Sequence, residues 1–412
     1  MKFVILTQYY PPETGAPQNR LSDLARRFQN MGHDVTVITA MPNYPKGQIF
    51  PGYRYRICLK EKIDGIEIIR CWLFASKSRF IPLRLASFFS FAITSAIIGT
   101  LVLSKVDALM VESPPIFLGI TARWLARIKQ AILLFNVSDL YPESAIALGY
   151  LSDRKLQQLF FKFEAWCYKS SDLIIGQTKG IVENIKSRFP DFKVYLLTNG
   201  IDISKFESDG SELDTIESGS TNNKPFIVGY AGVLGYAQKL EHLLQAAEIL
   251  QQYEYIQFHL YGDGPLRESL IAWATAHNLV NVEFKGNLPH QEVLQKMYQW
   301  KLGVVPLANT PLMAGALPSK IFEVMAIGLP VLLSAPYGEA AQLLENAEAG
   351  MTVLPEDPQA IADAIVYLAK YPDLCNSLGK QGRQYVMTHY DRSMIAQNFA
   401  TMIEQLIAKQ KK

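Results

Sequence analysis

A chain of 412 residues with 40 Lys and Arg against 38 Asp and Glu carries a formal charge of +2, too even a balance to argue for a nucleic-acid surface. Hydrophobic residues make up 49% and charged residues 19%, enough for two or three well-filled cores and contrary to extended disorder. The cysteines Cys58, Cys71, Cys167 and Cys375 stand far apart without metal-ligand spacing, and read as reduced core thiols of a cytosolic protein.

The alternation of elements begins at residues 3–6, a continuous apolar run of the kind a strand covered on both faces shows. It is too short for a secretory signal, and no small-residue cleavage site follows. After the loop "TQYYPPETGAP" a helix is expected from about Pro17, with Leu21, Leu24, Ala25 and Phe28 on one face and Gly32 as its stop. Further strands are expected at 35–39, 66–69, 108–111, 132–135, 173–175 and 194–197, with helical patterns between most of them. That order predicts a parallel, doubly wound sheet. From 207 to 224 the chain turns polar, acidic and rich in Ser and Gly, "ESDGSELDTIESGSTNNK", the composition of an exposed linker. A second alternation follows, with strands at 226–231, 256–261, 282–285, 302–306 and 331–334. Two α/β halves are therefore expected, at 1–205 and 225–390, joined by a linker at 206–224 and followed by a helical segment at 391–412. They share rhythm but no sequence repeat.

One segment stands apart. Residues 85–104, "LASFFSFAITSAIIGTLVLS", carry no charge, and Arg79, Arg84 and Lys105 flank them. About 20 residues would just span a bilayer. Ser and Thr dilute the run, however, and the strand at 108–111 should join the sheet formed by the strands before it, which a single crossing would prevent. A core helix and a helix lying on a membrane remain. Phe88, Phe89 and Phe91 bring more apolar surface than one core-facing stripe uses, which favours peripheral membrane contact through 79–105.

Chemistry collects in the loops. In the loop after the first strand, Gly15 and Ala16 let a ligand approach the backbone before a helix N-terminus, although taken alone the loop reads first as a rigid turn. Arg20 puts a cation in that helix's first turn, where the dipole disfavours it; a solvated surface charge is the plain alternative. "GYAGVLGYAQK" (229–239) joins the first strand and helix of the second half and resembles a phosphate-binding loop, though glycine spacing alone is weak. "YGDGP" (261–265) and "LTNGID" (197–202) are further glycine turns at strand ends. Their recurrence in both halves points to one cleft between them. "NVSDLYPES" (136–144) concentrates Ser138, Asp139, Tyr141 and Glu143 after a buried strand. Asp139 and Glu143 are candidates for a base or for sugar-hydroxyl contacts, and helix capping by Ser138 or Asp139 accounts for them as well. In "LPSKIFEVMAIGLPV" (317–331) Ser319 is the expected helix cap and Gly328 its left-handed stop. Lys320 is again a cation at a helix start, with Glu323 a turn later on the same face. There is no Asp-x-Asp, P-loop, zinc spacing, G-x-S-x-G or catalytic Cys–His motif, and the six histidines are scattered.

The ordered set "YYPPETGAPQNRLSDLARRFQNMGHDVTVIT", "TNGID", "GYAGVLGYAQKL", "YGDGP", "GNLPHQEV" and "PSKIFEVMAIGLPV" resembles the retaining glycosyltransferases of family 4, which have the GT-B fold. It is most similar to the bacterial branch of L-fucosamine and other amino-sugar transferases of surface polysaccharide assembly. The resemblance spans nearly the whole chain. It implies two doubly wound Rossmann-like domains facing across a cleft, with C-terminal helices crossing back to the N-terminal domain. The second domain would hold a nucleotide sugar, commonly a UDP sugar, and the first the acceptor, with neither metal nor cofactor. Glu323 matches the glutamate that holds the ribose hydroxyls. Lys320, Lys239 and the amides of Gly232 and Gly235 are the candidates for the diphosphate, within a donor set that also takes in Gln238, Gly262, Gly264, Pro318, Ser319 and Ile321. The Gly15–Ala16 turn would face the transferred sugar. Asp139, Glu143 and Lys320 are the catalytic candidates, and Glu13, Arg20 and Tyr141 the acceptor-side ones. Two positions depart from the family pattern. Gly315 stands where a second glutamate belongs, and Gln238 stands near the usual lysine place, with Lys239 beside it. The expected activity is transfer of a hexosyl or N-acetylaminosugar unit to a lipid-linked or glycan acceptor, at the inner face of the plasma membrane and without nucleic acid. A UDP-sugar epimerase of the same fold and a catalytically silent partner subunit are the rival readings, the latter resting on Gly315.

Overall fold

The computed structural model describes residues 1–76, 81–147, 149, 151–207 and 225–410. The expected linker lies outside the described residues from 208 onward, as does Arg79. The chain divides into two compact units, Met1–Thr198 with Ser393–Lys412, and Asn199–Arg392. The first unit thus ends before the expected 205. The reason is burial: Ile201 and Phe206 are packed among Phe322, Met325 and Val386 of the second unit.

The first unit holds one eight-stranded sheet. In chain order its strands are β1 (Lys2–Leu6), β2 (Asp34–Ala40), β3 (Cys58–Ile63), β4 (Ile66–Cys71), β5 (Ala108–Ser113), β6 (Ile132–Val137), β7 (Leu173–Gly176) and β8 (Val194–Leu196). Their spatial order is β3-β4-β2-β1-β5-β6-β7-β8. All neighbours run parallel except β3, which pairs antiparallel with β4. Residue alternation sorts β1 between two cores. Val4 and Leu6 face one with Phe91 and Leu118, while Phe3 and Ile5 face the other with Phe28 and Phe399, the period-2 signature of a strand buried on both sides. Successive strands are laid down outward on opposite sides of the β1–β5 pair, so the loops after those two strands lie at a topological switch point.

The sequence reading lacked β3. Its exposed, alternating "CLKEKI" is an edge pattern, and it carries Cys58 at the surface, so that cysteine is not a core thiol. The turn into β4 is Asp64–Gly65, both with positive φ, the geometry Asp-Gly favours in tight hairpins.

The Ile81–Val102 helix connects β4 to β5 within this sheet, which rules out a single bilayer crossing there. Phe91 and Ile98 are buried against the core, but Ile97 is 56% and Leu101 79% exposed. The Arg392–Gln410 helix packs Ala396, Phe399, Ala400 and Ile403 on the other face of the sheet.

The second unit is built on six parallel strands, β9 (Phe226–Ala231), β10 (Ile256–Tyr261), β11 (Val282–Gly286), β12 (Leu302–Pro306), β13 (Val331–Ser334) and β14 (Gly350–Val353), in the order β11-β10-β9-β12-β13-β14. β14 is an edge strand outside the sequence reading. Val331 and Leu333 enter one core and Leu332 the other.

Candidate active site

In the second unit the loops after β9 and β10 lie against each other. Gly232 has φ 145° and Gly262 φ 134°, a region other residues rarely adopt. A Cβ on Gly262 would sit 1.9 Å from the Gly232 carbonyl oxygen, and one on Gly264 would sit 2.4 Å from that of Leu234. Glycine is therefore required for the two loops to touch. Their amides are largely committed to this stitching. Gly232 N–H donates to Tyr261 O at 3.0 Å, Gly262 N–H to Gly286 O at 2.8 Å, and Gly264 N–H to the Asp263 carboxylate at 2.8 Å. The expectation that the Gly232 amide meets the diphosphate is corrected accordingly. Gly235 N–H has no internal acceptor among the described residues.

Lys320 reaches this stitched pair of loops. Its Nζ donates to Tyr230 Oη at 3.0 Å and lies 4.1 Å from the centroid of the Tyr230 ring. A Cβ on Gly232 would come within 2.9 Å of the same nitrogen, so the glycine makes room for the amine. No carboxylate pairs with Lys320 among the described residues. Burial pushes its pKa down to about 8, against a smaller upward pull from Glu323. The amine sits in the first turn of the Ser319–Ile327 helix, whose extended N-cap is Pro318. Ser319 is therefore the first helical residue and not the cap, while Gly328 ends the helix with φ 87°, as expected. A desolvated cation, an uncapped helix N-terminus and a glycine loop together suit a polyanion.

Glu323, one turn on, places a carboxylate oxygen 3.0 Å from His290 Nε2, within hydrogen-bond distance. Ile321 is fully buried and its N–H donates to Pro318 O, so it supports the site from the core and offers nothing to a donor. Lys239 takes a left-handed conformation, φ 46°, and lies 3.6 Å from Glu241. Gln238 closes a short 3-10 turn on Gly235 O, and its side-chain oxygen would lie 3.1 Å from a Cβ at Gly235. Gly315 follows the short Pro311–Ala314 helix. Tyr230 and His290 escaped the sequence reading, although both sit inside motifs it quoted.

The first unit gathers a polar cluster at the carboxyl ends of β5, β6 and β7. Arg20 pairs with the buried Glu112, which also accepts from Asn136 Nδ2. Gln177 Nε2 donates to Asn136 Oδ1 at 2.7 Å. Arg20 is thus no free surface charge. The buried Gln18 seats its amide oxygen where a Cβ on Gly15 would clash at 2.5 Å, and that oxygen has no partner among the described residues. Ala16 opens the helix beside it. Glu112, Asn136 and Gln177 were missed, though each is a polar residue ending an apolar strand run.

Four expected residues have other work. Glu13 is 2% exposed and accepts from the backbone N–H groups of Asn43, Tyr44 and Tyr10 at 2.6, 2.7 and 3.3 Å, so it shapes the loop rather than facing an acceptor. Glu143 pairs with Arg188 at 2.6 Å, and Arg188 also binds the buried Glu164. Tyr141 packs edge-on against Phe160 with ring centroids 5.5 Å apart. Asp139 accepts from Ser144 and Leu140 in the turn before the Glu143–Ala147 helix, and burial raises its pKa.

Residues 15–200 match the family of glycosyl transferase 4-like domains and residues 213–385 that of glycosyl transferases group 1. The chain belongs to the glycosyltransferases of GT-B fold. WcaI of Escherichia coli K12, a glycosyl transferase assigned to colanic acid biosynthesis, is 25% identical over 380 residues, 89% of this chain and 91% of WcaI. Sucrose-phosphate synthase from Thermosynechococcus elongatus superposes with a TM-score of 0.73 at 19% identity, over 99% of this chain and 100% of that one. Anabaena HepE, solved with UDP and glucose, gives 0.69 at 17% identity over 98% and 99% of the two chains.

Proposed function

We propose that the protein is a retaining, metal-independent family 4 glycosyltransferase. It moves a hexosyl or N-acetylaminosugar unit from a UDP-linked donor to a lipid-linked or polysaccharide acceptor in cell-surface glycan assembly. The observation that carries the reading is Lys320, a desolvated cation without a carboxylate partner among the described residues, at a helix N-terminus and beside Gly232. As the anomeric C–O bond breaks, its electron pair passes to the departing diphosphate. The amine and the helix start stabilise that charge. Glu323, one turn further, takes the ribose hydroxyls. The acceptor oxygen attacks from the face the leaving group vacates, and its proton passes to a departing phosphate oxygen. A front-face course fits the engagement of Glu143 with Arg188 and of Asp139 with its own turn, which leaves neither as a free-standing nucleophile. The UDP bound by HepE and the glycan pathway of WcaI support the donor and the pathway class. The acceptor is met at the inner face of the plasma membrane through 79–105.

Lys320→Met tests this. Transfer should fall by about 10²–10³-fold, the usual effect of losing one transition-state donor, with a melting temperature no lower than that of wild type, because the variant is spared the desolvated cation. Wild-type kinetics in that variant would remove Lys320 from the site.

A further inference from the structure

We infer that the Ile81–Val102 and Leu118–Lys129 helices form one docking face for an anionic lipid bilayer, with Trp124 as its interfacial anchor. The inference rests on the membrane contact proposed above, and adds to it a second helix and a lipid charge.

The outer apolar residues of the two helices are adjacent. Ile93, Ile97 and Leu101 are 59%, 56% and 79% exposed, and Ile120 and Trp124 47% and 56%. They border an open groove of about 480 Å³ floored by Ala92 and Ala96. The groove's hydroxyls are satisfied internally. Thr121 Oγ donates to Ala92 O and Thr100 Oγ to Ala96 O, both at 2.7 Å, and Trp124 Nε1 donates to Thr100 Oγ at 3.1 Å. Lys129 Nζ caps the first helix through Thr100 O at 2.8 Å and Leu103 O at 2.6 Å. The face is therefore preformed, and what it offers outward is nearly all hydrocarbon. Trp72 and Phe74, 38% and 40% exposed, extend it, tied to the first helix through Thr94 and Ser90.

Charge selects the occupant. No Asp or Glu occurs in 68–106 or in 113–138, whereas Lys105, Arg123 and Arg127 are exposed there. The whole chain carries only +2, so this one-signed rim is local. A second copy packed through the same face would set these cations against their own images, which opposes a two-fold dimer. An anionic bilayer accepts both features, the basic rim at its headgroups and the Trp and aliphatic side chains at the acyl boundary.

The test is flotation of the full chain with phosphatidylcholine vesicles, with and without phosphatidylglycerol. Wild type should float with the anionic vesicles and lose binding in high salt. Arg123→Gln with Arg127→Gln should lower partitioning about tenfold or more, at roughly 1 kcal/mol per cation. Trp124→Ser should abolish flotation and Trp124→Phe largely retain it, with unchanged circular dichroism. If Ile93→Ser and Leu101→Ser abolish binding while Trp124→Ser and the arginine variants float like wild type, the second helix is excluded and contact through 79–105 survives. Absence of flotation with both vesicle types overturns both statements. So does self-association in sedimentation that Trp124→Ser abolishes without any flotation. Transfer to a water-soluble acceptor reports separately on the glycosyltransferase reading.

Discussion

Burial holds the Lys320 amine at about 8, below the 10.5 of an ordinary lysine. Between those values the unfolded chain binds more protons than the folded one, so stability rises with pH across that window. At neutral pH the folded protein carries the cost of a desolvated cation, which a bound diphosphate would offset. Donor binding should therefore draw the pKa upward and take up protons at about pH 8–9. Calorimetric titration with UDP in buffers of differing ionisation enthalpy should show a buffer-dependent heat for wild type and none for Lys320→Met. Equal heats for wild type would detach this amine from the anion. Glu323 has a separate part to play. His290 already holds one of its carboxylate oxygens, which fixes the side chain's orientation and leaves the other oxygen for a hydroxyl pair. Glu323→Ala should weaken UDP about 10- to 100-fold, the range of a hydrogen bond to a charged group, while kcat at saturating donor changes much less. Wild-type affinity in that variant would refute the ribose assignment.

Among the elements, the two glycine loops of the second unit have the narrowest tolerance. Gly262→Ala places a methyl against a backbone carbonyl at a φ that L-residues avoid. The change should destabilise by about 2–4 kcal/mol and weaken UDP, read by denaturant unfolding and calorimetry. Wild-type stability would mean that the loops can separate freely. The doubly wound rhythm was legible because parallel strands buried on both faces are continuous apolar runs that stand out from their loops. β3, an alternating half-exposed strand, and β14, buried at none of its positions, lack that signal and were missed, although Asp64–Gly65 marked the β3–β4 hairpin locally. Lys320 was legible for a different reason: a cation in a first helical turn violates a local rule, and such violations collect at sites. Glu143 shows where local reading ends. Its partner Arg188 lies 45 residues away, and nothing in "NVSDLYPES" announces it. Tyr230 and Glu112 were hidden in the same way, since the partners that give them meaning, Lys320 and Arg20, are on helices distant in sequence.

At the scale of the whole molecule the chain changes unit twice, after Thr198 and after Arg392. Near those points Ile201 N–H donates to Tyr390 O at 2.8 Å and Arg392 N–H to Ile201 O at 2.9 Å, while Arg392 Nε donates to Gly200 O at 2.8 Å. The outgoing and returning segments are thus bonded to each other inside the second unit. The last helix must nevertheless stabilise the first. Phe399 is fully buried, 5.9 Å from the Phe28 ring and 5.6 Å from that of Tyr195, in the core that also holds Phe3 and Ile5. Phe399→Ala removes a large side chain from a filled core, a change that costs about 3–5 kcal/mol. The loss should appear where the contacts are. Amide hydrogen exchange should quicken along Lys2–Leu6 and Ala16–Asn30, while Phe226–Ala231 and Ile256–Tyr261 keep wild-type protection. UDP should do the converse, slowing exchange in the second unit by mass action on its folded state without restoring protection to the first. Equal acceleration in both units would mean that they unfold as one, and that the returning helix stabilises the chain as a whole and not the sheet it covers.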